Sequence, residues 1–293
     1  MNKKLKFSGH QTFAFRYGWL EKGISFVKSG MSFSDEKAVV ELGVGKNMVA
    51  SIKYWLEMFG LVNDGEVSDF ALRMFDEEMG WDPFLEDNGS LWLLHWKLMS
   101  ENNGISAGHV IFSHMHKPEF TKQDVAKTAL KLFGHEKGMP SNNTLLRDID
   151  CYLRSYCDTK VIKKNKVNED SFNCPLLELG LIHSTNDSEL YKFSIGQKVS
   201  LSPEIIGFAL CEYMRRSNKS IMNIQNVLYH EGSPGQVFML DENSLIDAID
   251  SLKSSRYGDA FGYTESAGIF NVECRVSLDE AFDLLDSYYR GEL

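Results

Sequence analysis

This chain of 293 residues is notable first for what it does not contain. No apolar run approaches the roughly 20 residues of a membrane span, which excludes a transmembrane helix. The five cysteines, Cys151, Cys157, Cys174, Cys211 and Cys274, are odd in number and include no CxxC pair. Neither a zinc ribbon nor a disulfide framework is expected from them, and a reducing cytoplasm fits best. Met1-Asn2-Lys3-Lys4-Leu5-Lys6 has charge but no hydrophobic core after it, so no signal peptide is expected. Spacing reveals no Ser-His-Asp or Cys-His constellation. Positive charge is not in excess either: the net charge is −10, which argues against a simple nucleic-acid binder.

What is present is ordinary in amount and uneven in place. Hydrophobic residues make up 43% and charged residues 25%, typical of a soluble globular chain long enough for two or three small domains. Residues 1–65 hold nine basic against six acidic side chains, and residues 66–90 one against eight. Residues 91–166 hold twelve against seven, and residues 167–293 nine against twenty. Two mildly basic modules are thus separated by an acidic connector and followed by an acidic third, a surface for partners or simply for solvent.

The best-formed motif runs from Glu41 to Leu56 and reads as the turn and second helix of a helix-turn-helix. Asp35 to Leu42 is a short amphipathic segment with Ala38, Val39 and Leu42 on one face. Gly43-Val44-Gly45 breaks it. Val49, Ile52, Leu56 and Phe59 then repeat at helical spacing, and Gly60 closes the helix. The opposite face carries Lys46, Asn47, Ala50, Ser51, Lys53 and Tyr54, side chains suited to phosphates and base edges in a major groove. Gly45-Lys46 is not a nucleotide loop. Val40 stands where the first glycine of that motif belongs, Asn47 follows the lysine, and a helix rather than a strand leads in.

Upstream, Phe7 to Leu20 is dense in aromatics. His10 and Arg16 are its only candidates for chemistry, with a packed lid on the first domain as the simpler alternative. Leu61-Val62 and Gly65-Glu66-Val67 suggest a wing hairpin. Leu91 to Met99 is apolar almost all round, which predicts a buried central helix. A second module repeats the plan. Thr121 caps a helix with Val125, Ala129, Leu132 and Phe133 inward. Ser141 caps another with Leu145, Ile149, Tyr152, Leu153 and Tyr156 inward. Asn142, Asn143, Arg147 and Arg154 lie on its outer face, and Lys160 to Lys166, with Lys163, Lys164 and Lys166, follows as a phosphate-gripping loop. A helical pair that merely exposes lysines is the alternative. In the final third, residues 179–182 and 189–193 read as a hairpin, Pro203 opens a helix to about Arg216, and Gly232 to Gly235 is a tight turn. Asn243 or Ser244 caps a helix to about Leu252, Ile269 to Val276 is a strand, and Leu278 to Tyr289 is a helix. The expected fold is α+β, mainly α: tandem winged-helix or helix-turn-helix-like modules over residues 1–90 and 91–170, with short β-hairpins, then a mixed, acidic C-terminal part over 171–293.

These segments together resemble a bacterial family found beside DNA phosphorothioation genes, which includes the SspB-type component of single-strand phosphorothioation systems and is usually described as a domain of unknown function. The resemblance rests on Phe7-Ser8-Gly9-His10-Gln11-Thr12-Phe13, Arg16 to Leu20, Leu42 to Val49, Leu91 to Trp96, Lys117 to Thr121, Asn143 to Asp150, Cys174 to Leu181 and Gly232 to Phe238. It implies a cytoplasmic protein acting on double-stranded DNA with a cysteine desulfurase, an ATPase and a sulfur-transfer enzyme, and a nicking role for SspB-type members. It assigns no catalytic residue, so Gly9, His10, Gln11 and Arg16 enter only as family-motif positions. The alternative is a non-enzymatic recruiter or transcriptional regulator.

Nicking would need carboxylates converging on Mg²⁺ or Mn²⁺. Asp259 with Glu273 and Arg275 resembles a degraded restriction-nuclease pattern, with the two strand residues on one face. His114 and His116 with Glu119 form a second candidate, their rings pointing the same way if the segment is extended. The acidic run from Asp76 through Asp82 to Asp87 is a third, more simply a solvated connector.

Overall fold

Side-chain caps set most of the helix starts. Ser68, Ser106, Thr121, Ser141, Ser202, Ser233, Asp241 and Ser277 each accept a hydrogen bond from a backbone N–H in the first turn of the helix that follows. The computed structural model describes residues 5–100, 104–157, 174–185, 190–266 and 268–291. In chain order its elements are α1 (Trp19–Lys28), α2 (Ala38–Glu41), α3 (Lys46–Met58), β1 (Val62–Asn63), β2 (Glu66–Val67), α4 (Asp69–Phe75), α5 (Asn88–Ser100) and α6 (Ala107–His114). There follow β3 (Glu119–Thr121), α7 (Lys122–Phe133), α8 (Asn142–Tyr156), a 3₁₀ turn over Pro175–Leu179, β4 (Ile182–Ser184), β5 (Leu190–Phe193) and α9 (Pro203–Arg216). The last are β6 (Ile221–Asn223), α10 (Ile224–Tyr229), α11 (Pro234–Val237), α12 (Glu242–Lys253), β7 (Phe261–Ser266), β8 (Ile269–Cys274) and α13 (Leu278–Arg290). Helix dominates and the sheets are small and antiparallel, as an α+β, mainly α, fold requires. None of the described helices is long and apolar enough to cross a membrane.

Two units emerge, and their boundaries differ from those expected at residues 90 and 170. The first unit comprises residues 1–87 and 101–194, the second 88–100 and 195–293. The physical reason lies in α5. It is buried at every position from Gly89 to Met99, so it must be surrounded, and the second unit closes around it.

In the first unit, α1, α2 and α3 are followed by the hairpin β1–β2, with Val62 opposite Val67. Trp55, Phe15, Phe59 and Ile52 sit wholly inside. Next come α6, β3, α7, α8, β4 and β5, whose three strands form one sheet with β5 in the middle. Phe120 and Phe193 pack against each other within its core, their ring centres 4.7 Å apart. The hairpin expected over residues 179–193 is present, but its first strand begins at Ile182, because Pro175–Leu179 winds into the 3₁₀ turn.

In the second unit α9, β6, α10, α11, α12, β7 and β8 precede α13, and β8 is the middle strand between β6 and β7. Trp92, Trp96 and Phe238 form an aromatic cluster. The Lys97 ammonium and the Trp96 indole N–H both donate to Glu212, at 2.8 and 2.6 Å, so a buried cation on α5 is neutralised by α9. His95 Nε2 donates to the Val237 carbonyl at 2.8 Å, and burial lowers its pKa to about 4. All five cysteines are buried free thiols. Two details differ from the sequence reading. The Gly232 to Gly235 turn runs straight into α11, and α12 is capped by Asp241 rather than Asn243 or Ser244, with the Ser244 N–H as donor.

Candidate nucleic-acid interface

The expected docking helix, α3, exposes a narrow stripe. Gly43 takes φ 65° in the turn before it, a left-handed conformation that a Cβ would strain. Lys46, Asn47, Ala50 and Lys53 are exposed on its outer side. Lys53 reaches Glu57, one turn on, at 3.7 Å. Two expected members of this face are misplaced by the sequence reading. Ser51 has no exposed surface and Tyr54 is 6% exposed, so neither presents itself to a duplex. Helix α3 is covered on a second side that local periodicity does not reveal. Gly23 of α1 lies against Ile52 and Leu56, while the segment preceding α1 and helix α8 enclose Tyr54 and Trp55.

The first turn of α8 supplies a second exposed group. Ser141 caps it, and Asn142, Asn143 and Arg147 stand in solvent. Arg154, expected beside them, is turned instead toward Asp150 at 3.0 Å and the Thr12 carbonyl at 2.9 Å. Lys163, Lys164 and Lys166 lie outside the described residues.

A buried polar seam joins these two helices to the Gly9-His10-Gln11 motif. His10 is 1% exposed. Its Nδ1 accepts from the Thr12 backbone N–H at 3.0 Å, so Nε2 carries the proton and donates to Asp148 Oδ1 at 2.6 Å. The same oxygen accepts the Ser8 N–H at 2.6 Å. Asp148 Oδ2 is buried with no hydrogen-bond partner among the described residues. Tyr54 and Tyr152 share a hydroxyl contact of 2.8 Å, and Tyr54 also donates to the Lys6 carbonyl at 3.1 Å. Burial is the main force pushing both phenols well above the ordinary tyrosine range, so they remain protonated. Ser8, Gln11 and Thr12 all have positive φ. Such residues cost on the order of 1–2 kcal/mol each, which the charged hydrogen bonds to Asp148 and Arg154 offset. A Cβ on Gly9 would sit 2.2 Å from the Tyr54 ring, so no larger residue fits there.

The motif positions are therefore mostly structural. His10 and Gly9 are interior, Gln11 is exposed, and the Arg16 guanidinium lies 5.4 Å from the Trp19 ring centre and 5.8 Å from that of Phe13. The lid-like alternative fits His10 better than a chemical role. The residue missed from sequence is Asp148. Its signal was available: Leu145, Asp148, Ile149 and Tyr152 follow one helical stripe, and an acid on an apolar stripe needs a buried partner.

The expected carboxylate groupings do not converge. Glu273 is 9% exposed and ion-paired with Arg275, while Asp259 is exposed and joins them only through its backbone carbonyl, 3.5 Å from Arg275. His114 is the last residue of α6, not part of an extended segment, and its ring meets His109 and Phe133. His116 is exposed, and Glu119 pairs with Lys192 across the sheet at 3.7 Å. In the acidic connector, Asp76 accepts the N–H groups of Glu78 and Met79, and Asp82 those of Glu86 and Asp87. These carboxylates close turns. None of the three groupings fits a divalent cation held by several free carboxylate oxygens.

Residues 7–289 match the family described as protein of unknown function (DUF4007), and the chain belongs to it. Among solved structures it is similar to a crystal structure of SspB and to a magnesium ion-bound crystal structure of SspB. Each is 28% identical over 97% of this chain and 88% of the other, with a TM-score of 0.85. No curated protein sequence matches.

Proposed function

We propose that this DUF4007 member is the DNA-binding component of a bacterial DNA phosphorothioate modification system, of the SspB type, acting in the cytoplasm on double-stranded DNA. The observation that carries this reading is the likeness to SspB over 97% of the chain at 28% identity. The geometry supplies the means. The stripe Lys46, Asn47, Ala50 and Lys53 on α3 enters the major groove, and Asn142, Asn143 and Arg147 open α8 as the first turn of a recognition helix does. The order α6, β3, α7, α8, β4, β5 supports reading this part as a winged-helix module with α8 as its recognition helix. Lys163, Lys164 and Lys166 add phosphate contacts that raise affinity without reading sequence. The acidic surface of the second unit serves a protein partner of the system: the cysteine desulfurase, the ATPase or the sulfur-transfer enzyme.

The test is a salt titration of duplex binding by the folded Lys46→Glu, Lys53→Glu double variant. Binding should weaken, and the slope of log K against log salt should fall by about 2 if each lysine contacts one phosphate. An unchanged affinity and slope would sink the assignment of α3.

The magnesium bound by an SspB relative favours a second reading, in which the protein also nicks DNA. Supercoiled plasmid incubated with Mg²⁺ or Mn²⁺ decides it. Relaxed circles abolished by EDTA support nicking, and plasmid that stays supercoiled while remaining bound supports recruitment alone. Because Glu273 and Glu119 are each already paired with a cation, binding is the activity this geometry supports best.

A further inference from the structure

A cleft of about 820 Å³ opens in the first unit where the α3 stripe ends. Its volume falls within the ~300–1,000 Å³ usual for sites that hold one small ligand. Lys53 stands on one wall with Lys6 beside it, and both reach Glu57, at 3.7 and 3.4 Å. Ser32 and Asn63 bring short polar side chains from the α1–α2 connection and from β1, and Phe33 contributes a half-buried ring. Residues 46, 50, 53 and 57 follow one another at helical spacing, so the exposed stripe of α3 leads directly into this opening.

We infer that the cleft receives one unstacked nucleotide of the bound DNA. The inference rests on the proposed duplex binding by α3 and α8 and adds a substrate feature to it. Three chemistries meet there that a nucleotide needs together. The ammonium groups of Lys6 and Lys53 line the opening, 3.4 and 3.7 Å from Glu57, and would exchange that carboxylate for the phosphate of the nucleotide. The Phe33 ring offers a face for a base, a contact that accepts any sequence. Asn63 can pair with a base edge through its amide, as such side chains do with adenine. A perfectly paired duplex resting on the stripe leaves the cleft unused, whereas a nucleotide already outside the stack enters without the cost of unpairing.

The experiment compares three labelled duplexes by fluorescence anisotropy: fully paired, carrying a single unpaired nucleotide, and carrying an abasic residue at that bulge. The abasic bulge reproduces the kink without the base. The protein should bind the bulged duplex about tenfold more tightly than the abasic one, the effect of one good base–aromatic contact. Asn63→Trp, which fills the cleft from an exposed strand position, should abolish that difference and leave the affinity for paired DNA unchanged. Phe33→Leu, which keeps the apolar contact with Phe26, should reduce it. Lys46→Glu should lower affinity for all three DNAs and preserve the ratio. Equal binding of bulged and abasic duplexes, or a preference that survives Asn63→Trp, overturns the inference while duplex binding stands. Failure to bind any of the three overturns the parent reading and the inference with it.

Discussion

Helices α8 and α12 occupy the same place in two modules of one design. Each module runs helix, strand, helix, helix, strand, strand, with α11 as an extra turn in the second, and in each the last strand pairs with the other two. The inner stripe of α8 is Leu145, Asp148, Ile149 and Tyr152, and that of α12 is Leu245, Ala248, Ile249 and Leu252. Their outer faces diverge further. Asn142, Asn143 and Arg147 follow the Ser141 cap, whereas Glu242, Asn243, Asp247 and Asp250 follow the Asp241 cap. Apolar spacing builds the module, and a few side chains decide what each face can meet. The inner difference is as telling as the outer one. Two polar side chains on α8, Asp148 and Tyr152, meet the Gly9-His10-Gln11 loop and α3, where the matching positions of α12 are Ala248 and Leu252.

The comparison breaks most sharply by exchanging the inner residues. Ala248→Asp puts a carboxylate on the apolar stripe of α12 and should cost about 3 kcal/mol in urea unfolding. Asp148→Ala removes the acceptor of both the Ser8 N–H and His10 and should cost about 3 kcal/mol. If Ala248→Asp is neutral, the inner stripes are not under different constraints.

Acid sharpens the contrast next. Burial holds His95 at about 4, below its ordinary 6.5. Its neutral form is the one the fold accepts, so its contribution is complete above pH 6.5 and is lost as pH falls from 6.5 toward 4. Unfolding of the second unit should become easier by about 3 kcal/mol over that range, and His95→Gln should flatten the profile. Equal acid sensitivity with and without His95 would refute this.

The outer faces give the smallest effect on stability and a directional one on binding. Arg147→Asp should weaken duplex binding by about tenfold, while Asp247→Arg should change neither stability beyond ~0.5 kcal/mol nor duplex affinity appreciably. Equal effects from the two would mean that the acidic module touches DNA as well.

Much of the local structure was legible in the sequence. The caps at Thr121 and Ser141, the helix opened by Pro203, the buried α5 and the span of α3 all follow from residue type and spacing. What periodicity could not reveal depends on chain segments far apart. Ser51 and Tyr54 look solvent-facing when only the Val49, Ile52, Leu56 stripe is considered. They are covered because α3 has a second set of neighbours, one of which is Tyr152. Likewise His10 invites a chemical reading until its acceptor, 138 positions later, is identified. The repeated module was also hidden. A strand of three residues carries too little pattern to disclose which neighbour it pairs with, and the sheet order is what makes the repeat visible.

The reach of the His10 to Asp148 contact has a consequence during synthesis. A ribosome adding about 5–20 residues per second needs roughly seven to thirty seconds to travel from one residue to the other. Once synthesis has passed residue 55, Tyr54 and Trp55 are already made, but the helix that covers them is not. The first module must therefore wait, with its aromatic flank uncovered, for a strap that has emerged and an anchor that has not. Slowing translation between residues 60 and 140 should lengthen the window in which a chaperone can bind the nascent chain, and Gly9→Ala, which blocks the strap from closing, should keep that window open after release.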